Sequence, residues 1–366
     1  MTDENGRRDR ALRRESRVRG MMLGTAVGDT LGSLRGKAPA SGPLRAGVST
    51  QLACFTVEGI IRAMVRGKHK GMCHPPSVVL HAYCRWAALQ GVEVELMRRR
   101  WASGVVDGAW PDGWLAGVPA LAERRGSAPA TVAALSRIGG PVDRMATASR
   151  GCHGLTRSLP VAVAGTRWAG QAGEIAALTH GDPAARSASI HAALLVHHCL
   201  THAAPDDADH FVREAMEAGI AALATTDEAA TGAQPPPLAE VLQHALDQPA
   251  QPRDLARLAP DATAPSALRG GVYAAASFPG RAQFRTALEF AAGAPDGSSV
   301  ACVTGALLGA AHGVEALPVD LVSRHELSWV MDTLARDLLT EVTDSPSGSE
   351  YVSGWDPYWW SRYPGW

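Results

Sequence analysis

Apolar positions recur at three- and four-residue spacing through most of the chain, and strict alternation is nowhere sustained. That pattern predicts helices with one buried face. The first periodic segment, Val18 to Leu31, carries Gly20, Gly24 and Gly28, with Gly32 just beyond. Four-residue spacing lays these glycines along one helix face as a bare stripe. Each costs an isolated helix about 1 kcal/mol relative to alanine, so the stripe predicts close packing against another backbone. Ser33 to Gly47, with Pro39 and Pro43, predicts a loop. Thr50 is placed to cap a helix running to about Arg66, in which Ala53, Val57, Ile60 and Met64 share a face.

Further helices are expected over Ser77–Leu89, Trp114–Arg124, Leu155–Trp168, Gln171–Thr179, Ala185–His202, Ala208–Leu223, Leu238–Leu246, Ala282–Ala292, Ser299–Gly313 and Leu321–Leu339. Thr231–Pro237 and Pro249–Pro265 are expected as surface connections or short helices rather than domain boundaries. The chain thus divides into a basic, flexible N-terminal tail (1–16), one helical domain (17–344) and a Trp-rich C-terminal tail (345–366). Trp355, Trp359, Trp360 and Trp366 are more indole than a free tail would expose. The tail is therefore expected to dock on the body or on a second subunit.

Composition supports the helical reading: 46% of residues are hydrophobic, 19% charged and only 5% aromatic, and Ala-rich stretches outweigh β-branched runs. A net charge of −1 argues against nucleic acid or an anionic membrane as partner. Locally, Arg7, Arg8, Arg10, Arg13, Arg14, Arg17 and Arg19 crowd the N-terminus, where a solvated tail is expected. The six cysteines are scattered, several within apolar helical patterns, so no disulfide framework is expected. No apolar run is read as reaching the roughly 18 residues that span a bilayer, and no apolar signal-peptide core is evident at the N-terminus. The expected location is cytoplasmic.

Several separated segments, in order, resemble the motifs of the ADP-ribosylglycohydrolases. Arg17 to Gly32 is similar to the family's opening helix, which ends in Gly-Asp-Ala-Leu-Gly, with Thr30 the departure. Gly47 to Ala63 resembles the first metal motif, Thr/Ser-Asp-Asp-Thr-Gln, and its helix. Ser149 to Pro160 resembles the central loop-to-helix motif, and Ala177 to Pro183 the Thr-His-x-x-Pro segment. Ala294 to Gly309 is similar to the second metal motif, Gly-Asp-x-Asp-Ser/Thr, and its helix. The resemblance implies an all-α, single-domain orthogonal helical bundle. It also implies two divalent cations, Mg²⁺ or Mn²⁺, holding the ribose of an ADP-ribosyl group while water displaces the substituent at its anomeric carbon.

Laid on that pattern, Gly47, Val48 and Ser49 stand where Thr-Asp-Asp is expected, and Ser298 stands on the second aspartate of the later motif. Thr50, Asp296 and Ser299 remain, as a weak single-ion set. Arg35 follows the opening motif where an acidic residue is expected. Ser127-Ala-Pro-Ala130 replaces Pro-Gly-Asn-Thr, and Thr147-Ala-Ser149 replaces Asn-Asp-Ser. A pair of hard cations needs several carboxylates, so no cofactor is expected. The chain is read as a pseudoenzyme that binds an ADP-ribose-like small molecule or a protein partner. The competing reading is an enzyme with altered, metal-independent chemistry.

The expected pocket comprises Asp29, Ser49, Thr50, Gly151, Cys152, His153, Gly154, His180, Asp296, Ser298 and Ser299. Asp296, His153 and Cys152 are the catalytic candidates. Cys152 and His153 could form a nucleophilic pair, or His153 could fill space left by an absent ligand, since the family motif has Gly-Cys-Gly-Gly here. Asp29 could orient a ligand or simply hydrogen-bond locally. His180 and Asp182 could line the pocket or link helices. His198 and His202, four apart on a helix, could share a metal with His191 or His197, or be ordinary helix histidines. Sequence leaves the oligomeric state open.

Overall fold

The computed structural model describes residues 2–92, 94–101, 110–138, 147–202, 211–223 and 237–365. The N-terminal half contains α1 (Thr2–Ser33), α2 (Val48–Lys70), α3 (Pro75–Leu89), α4 (Glu95–Trp101), α5 (Pro119–Ala122), α6 (Pro129–Leu135), α7 (His153–Thr156), α8 (Ala169–Ala177) and α9 (Pro183–Thr201). The C-terminal half contains α10 (Phe211–Leu223), α11 (Leu238–Asp247), α12 (Pro252–Leu258), α13 (Ala264–Ser277), α14 (Phe284–Ala291), α15 (Gly297–His312), α16 (Val319–Arg324), α17 (Ser328–Thr343) and α18 (Trp359–Arg362). Among the described residues the only β-type pairings are isolated bridges, so the fold is all-α.

The glycine stripe of α1 meets α15 backbone to backbone. A Cβ at Gly20 would lie 2.4 Å from the Gly309 carbonyl oxygen, one at Gly24 2.3 Å from that of Gly305, and one at Gly28 2.1 Å from that of Ala301. The fit is reciprocal, because a Cβ at Gly305 would come within 2.1 Å of the Gly24 oxygen. No side chain longer than hydrogen fits there, which is why the costly glycines persist. Gly32 extends the contact to Gly297 and Ser298 at the start of α15. Helices α2, α9, α13 and α17 pack around this pair.

Several elements differ from the sequence expectation. Thr50 does not cap α2, which starts at Val48 with Gly47 as its cap; Thr50 is buried in the first turn and bonds to α1. Trp114–Arg124 is a 3₁₀ turn (Trp114–Gly117) followed by α5, separated at Val118-Pro119 because proline cannot continue a helix through its own amide. Leu155–Trp168 likewise breaks into α7 and two 3₁₀ turns around Pro160 and Gly165. Leu321–Leu339 splits at His325, whose ring Nδ1 accepts from the Leu327 amide. Helix α13 was not expected; its Gly270 and Gly271 pack on Val300 and Val303 of α15.

The basic N-terminal stretch continues α1 as an exposed helix, in which Glu4, Asp9 and Glu15 interleave with the arginines. The C-terminal segment docks on the body. The Trp359 indole donates to Glu341 (2.8 Å), the Tyr363 hydroxyl donates to Asp337 (2.6 Å), and the Gly365 carbonyl accepts from Arg66 (3.1 Å). Trp366, Thr231–Pro236 and Ala208–His210 lie outside the described residues. All six cysteines are free. By length and composition α2 could cross a bilayer, against the sequence expectation, yet 89% of the relevant window is buried inside the fold.

A buried ionic cluster, not anticipated from sequence, ties α2 to α3 and the loop before α5. Glu58 pairs with Arg62 (2.8 Å) and Arg85 (2.6 Å), and Arg62 pairs with Asp112 (2.8 Å).

Gly24→Ala should therefore destabilise the protein by about 1–3 kcal/mol through overpacking. Gly170→Ala, where an added Cβ meets nothing within 4 Å, should be neutral or slightly stabilising. Denaturant unfolding of both variants checks this; equal effects would contradict the backbone contact.

Candidate ligand cavity at the α1, α2 and α15 junction

The close approach of α1 to α15 sets Asp29, one residue beyond Gly28, beside the first turns of both α2 and α15. Its carboxylate accepts the Thr50 amide (2.9 Å) and hydroxyl (2.7 Å) on one oxygen and the Ser298 hydroxyl (2.6 Å) on the other. Asp29 is 1% exposed. Glycine at position 47 is what admits it, since a Cβ there would lie 2.4 Å from Asp29 Oδ1. Asp29 thus ties three helix segments together through hydroxyls, and residue 47 must stay bare for that to hold.

On the other side of α15's start, Ser299 donates to Asp296 Oδ2 (2.5 Å). Arg35, in the left-handed region at φ 53°, donates to the carbonyls of Ala294 (2.7 Å) and Pro295 (3.1 Å) just before Asp296. A non-glycine residue holds that conformation only where its contacts compensate.

Above these groups opens a cavity of about 590 Å³, walled by the 39–49 segment, by Arg125 to Ser127, by Cys152 and His153, and by Asp296, Ser298 and Ser299. Asp29, Ser49, Cys152, His153, Asp296, Ser298 and Ser299 line it, as expected from sequence. Thr50, Gly151, Gly154 and His180 do not. Thr50 lies behind Asp29. His180 is buried behind the Gly151–Gly154 turn, where a Cβ at Gly154 would come 3.0 Å from its own Cβ. His180 Nδ1 pairs with the Thr179 hydroxyl (2.7 Å), and Asp182 caps α9 by accepting the Ala184 amide. Both serve the helix junction.

Cys152 and His153 are adjacent but do not pair. The thiol lies against Asp296 and Ser299; burial pushes it well above its ordinary value, and the Asp296 carboxylate pushes it further. A thiol so placed is not a ready nucleophile. His153 sends Nε2 to the Ser127 carbonyl oxygen (3.1 Å) and Nδ1 to the Ser49 hydroxyl (3.2 Å). A carbonyl can only accept, so Nε2 carries the proton and Nδ1 accepts from Ser49, whose oxygen in turn accepts from Thr156 (3.0 Å). Burial lowers the His153 pKa despite the nearby Asp29 and Asp296 carboxylates, which keeps the ring neutral.

Sequence reasoning missed the outer frame of the cavity. Glu326 accepts the Ala46 amide (2.9 Å) and two Arg125 donors (3.2 and 3.1 Å), clamping opposite walls together. Thr30, the departure from the opening motif, donates to the Arg45 carbonyl (2.8 Å) and meets His325 Nε2 (3.1 Å). His325 and Glu326 follow α16 and carry no motif that marks them. Elsewhere, His197 meets the Ala162 carbonyl oxygen and the His202 carbonyl accepts from Arg17. Among the described residues, no group of three or more His, Cys, Asp or Glu could hold a metal ion.

A helical body with its cavity between the starts of two motif-bearing helices defines a class of protein, and the sequence comparison agrees. The ADP-ribosylglycohydrolase family model matches residues 10–347, so the chain belongs to that family. A solved structure described as an "ADP-ribosylglycohydrolase-related protein complex" is similar in fold, with a TM-score of 0.57 and 21% identity; the match covers 90% of this chain and 99% of that one. No curated protein matches the sequence.

Two outcomes follow. Gly47→Ala should cost about 1–3 kcal/mol by displacing Asp29, and a double-mutant cycle with Asp29→Ala should recover most of that loss; additive losses would contradict the coupling. Burial also holds His191 and His325 at about 4, below the ordinary 6.5. Below pH 6.5 the unfolded chain therefore takes up protons that the native state refuses. Stability should be full above that pH and fall toward pH 4. Urea midpoints measured at pH 7.5 and pH 5 check the sign, and a higher midpoint at pH 5 would contradict it.

Proposed function

We propose that this member of the ADP-ribosylglycohydrolase family is a pseudoenzyme. Its helical body serves as a binding or regulatory module for an ADP-ribose-like small molecule or a protein partner. The observation that carries the reading is the state of Asp29, whose two oxygens are already taken by Thr50 and Ser298.

The donor set does not fit a pair of Mg²⁺ or Mn²⁺ ions. Two such cations need several anionic oxygens, and here Asp29 and Asp296 stand among neutral hydroxyls. The Thr50 and Ser298 hydroxyls spend their protons on Asp29, and the Ser299 hydroxyl spends its proton on one oxygen of Asp296. Gly47 reinforces the arrangement, because a residue with a Cβ at that position excludes Asp29 from where it sits. The bare position 47 and the placement of Asp29 are thus coupled. A metal-independent reaction through Cys152 and His153 lacks support in the geometry, since neither is placed to activate the other.

Calorimetric titration of the purified protein with Mg²⁺ and with Mn²⁺ should show no saturable two-site binding in the micromolar range. Release of ADP-ribose from ADP-ribosyl-arginine and ADP-ribosyl-serine should stay at the uncatalysed rate with or without metal. Two tight sites, or turnover lost in Asp296→Ala, would sink the reading.

A further inference from the structure

We propose that this chain pairs with a second copy of itself: the arginine-rich start of α1, residues 7–14, docks on the exposed aromatic and acidic stretch 344–358 of the other copy. This pairing is independent of what the cavity binds.

The C-terminal segment turns its rings both ways. Trp359 and Tyr363 are buried and bonded to Glu341 and Asp337 of α17, whereas Tyr351 is 88% exposed, Tyr358 78% and Trp355 61%. The outward rings sit on a pinned backbone, since the Ser349 amide donates to the Val352 carbonyl (2.8 Å) and the Trp355 indole donates to Asp344 (2.9 Å). Large rings held in water in this way mark a protein contact. The family match stops at residue 347, so the rings at 351–358 lie beyond it.

Charge names the occupant. Residues 344–358 hold Asp344, Glu350 and Asp356 with no lysine or arginine, a formal −3. Of the lysines beside them at the end of α2, Lys68 is spent on Glu341 (2.6 Å), which leaves Lys70 as a countercharge. Residues 7–14 hold five arginines and Asp9, a formal +4, on a helix whose Leu12 is 55% exposed. Guanidinium groups suit both features of the facing surface, stacking on ring faces and pairing with carboxylates. Leu12 adds an apolar contact.

Position makes the contact reciprocal. Arg19 pairs with Asp332 (2.6 Å) and Glu15 with Arg336 (3.7 Å), so α1 and α17 run antiparallel. The start of α1 therefore emerges at the end of α17, where residues 344–358 begin. Within one molecule both surfaces stay exposed. A two-fold axis at that end brings each helix onto the other copy's rings, so the contact forms twice.

The test is sedimentation equilibrium of the full-length protein, with thermal melts to confirm folding. The wild type should associate reversibly toward twice the 38.3 kDa chain mass. Association should be weaker at about 500 mM than at about 50 mM salt, because exposed charges are screened. Tyr351→Ser combined with Tyr358→Ser should raise the dissociation constant by about tenfold or more. Glu350→Arg, and separately Arg8→Glu, Arg10→Glu and Arg14→Glu combined, should weaken it too. Mixing those two charge variants should restore association, because one of the two contacts is then native and the other has both charges reversed. Should the triple variant fail to fold, the tyrosine pair and Glu350→Arg decide. A wild type that stays monomeric at about 200 μM in about 50 mM salt would overturn the proposal and leave the rings to another partner. Association unchanged in the variants, or no recovery on mixing, would overturn it as well.

Discussion

The backbone contact between α1 and α15 is the constraint on which the rest depends. Glycines at 20, 24 and 28 let the two helices approach until a single Cβ would strike a carbonyl oxygen on the opposite side. At that separation Asp29, next to Gly28, and Ser298, at the start of α15, lie within a hydrogen bond of each other. Widen the helix pair and the cavity floor comes apart. Packing here dictates the chemistry that the floor can offer.

In the proposed reading, charge then decides what that floor is for. A divalent pair is held by anionic oxygens whose lone pairs point at the ions. In this protein the hydroxyls of Thr50, Ser298 and Ser299 each donate to Asp29 or Asp296. Arg35 adds a guanidinium on the carbonyls just before Asp296, in strained backbone. Each of these side chains is thereby hydrogen-bonded to a neighbour within the protein.

Much of the architecture was legible in sequence because it rests on periodicity. The glycine stripe announced a backbone contact, and the apolar faces of α2, α9, α10 and α15 announced their helices. Breaks were harder. Pro160 and His325 end helical patterns that apolar spacing alone would continue, and Gly270-Gly271 hid α13 because its reason for being bare, the side chains of Val300 and Val303, lies on another helix. The cavity was legible through its motif positions, except that Thr50, Gly151, Gly154 and His180 stand behind it. Its frame was not, because Arg125, Glu326 and the partners of His153 are joined only by the tertiary fold.

The central claim is that Asp29 is satisfied by protein donors in a way that leaves no seat for a pair of divalent ions. Crystals grown with excess Mn²⁺ and measured at the manganese absorption edge test it most directly. The account predicts no anomalous peak between Thr50 and Asp296, with Asp29 still bonded to Thr50 and Ser298. Two strong peaks there, with Asp29 swung out to coordinate one of them, would contradict it.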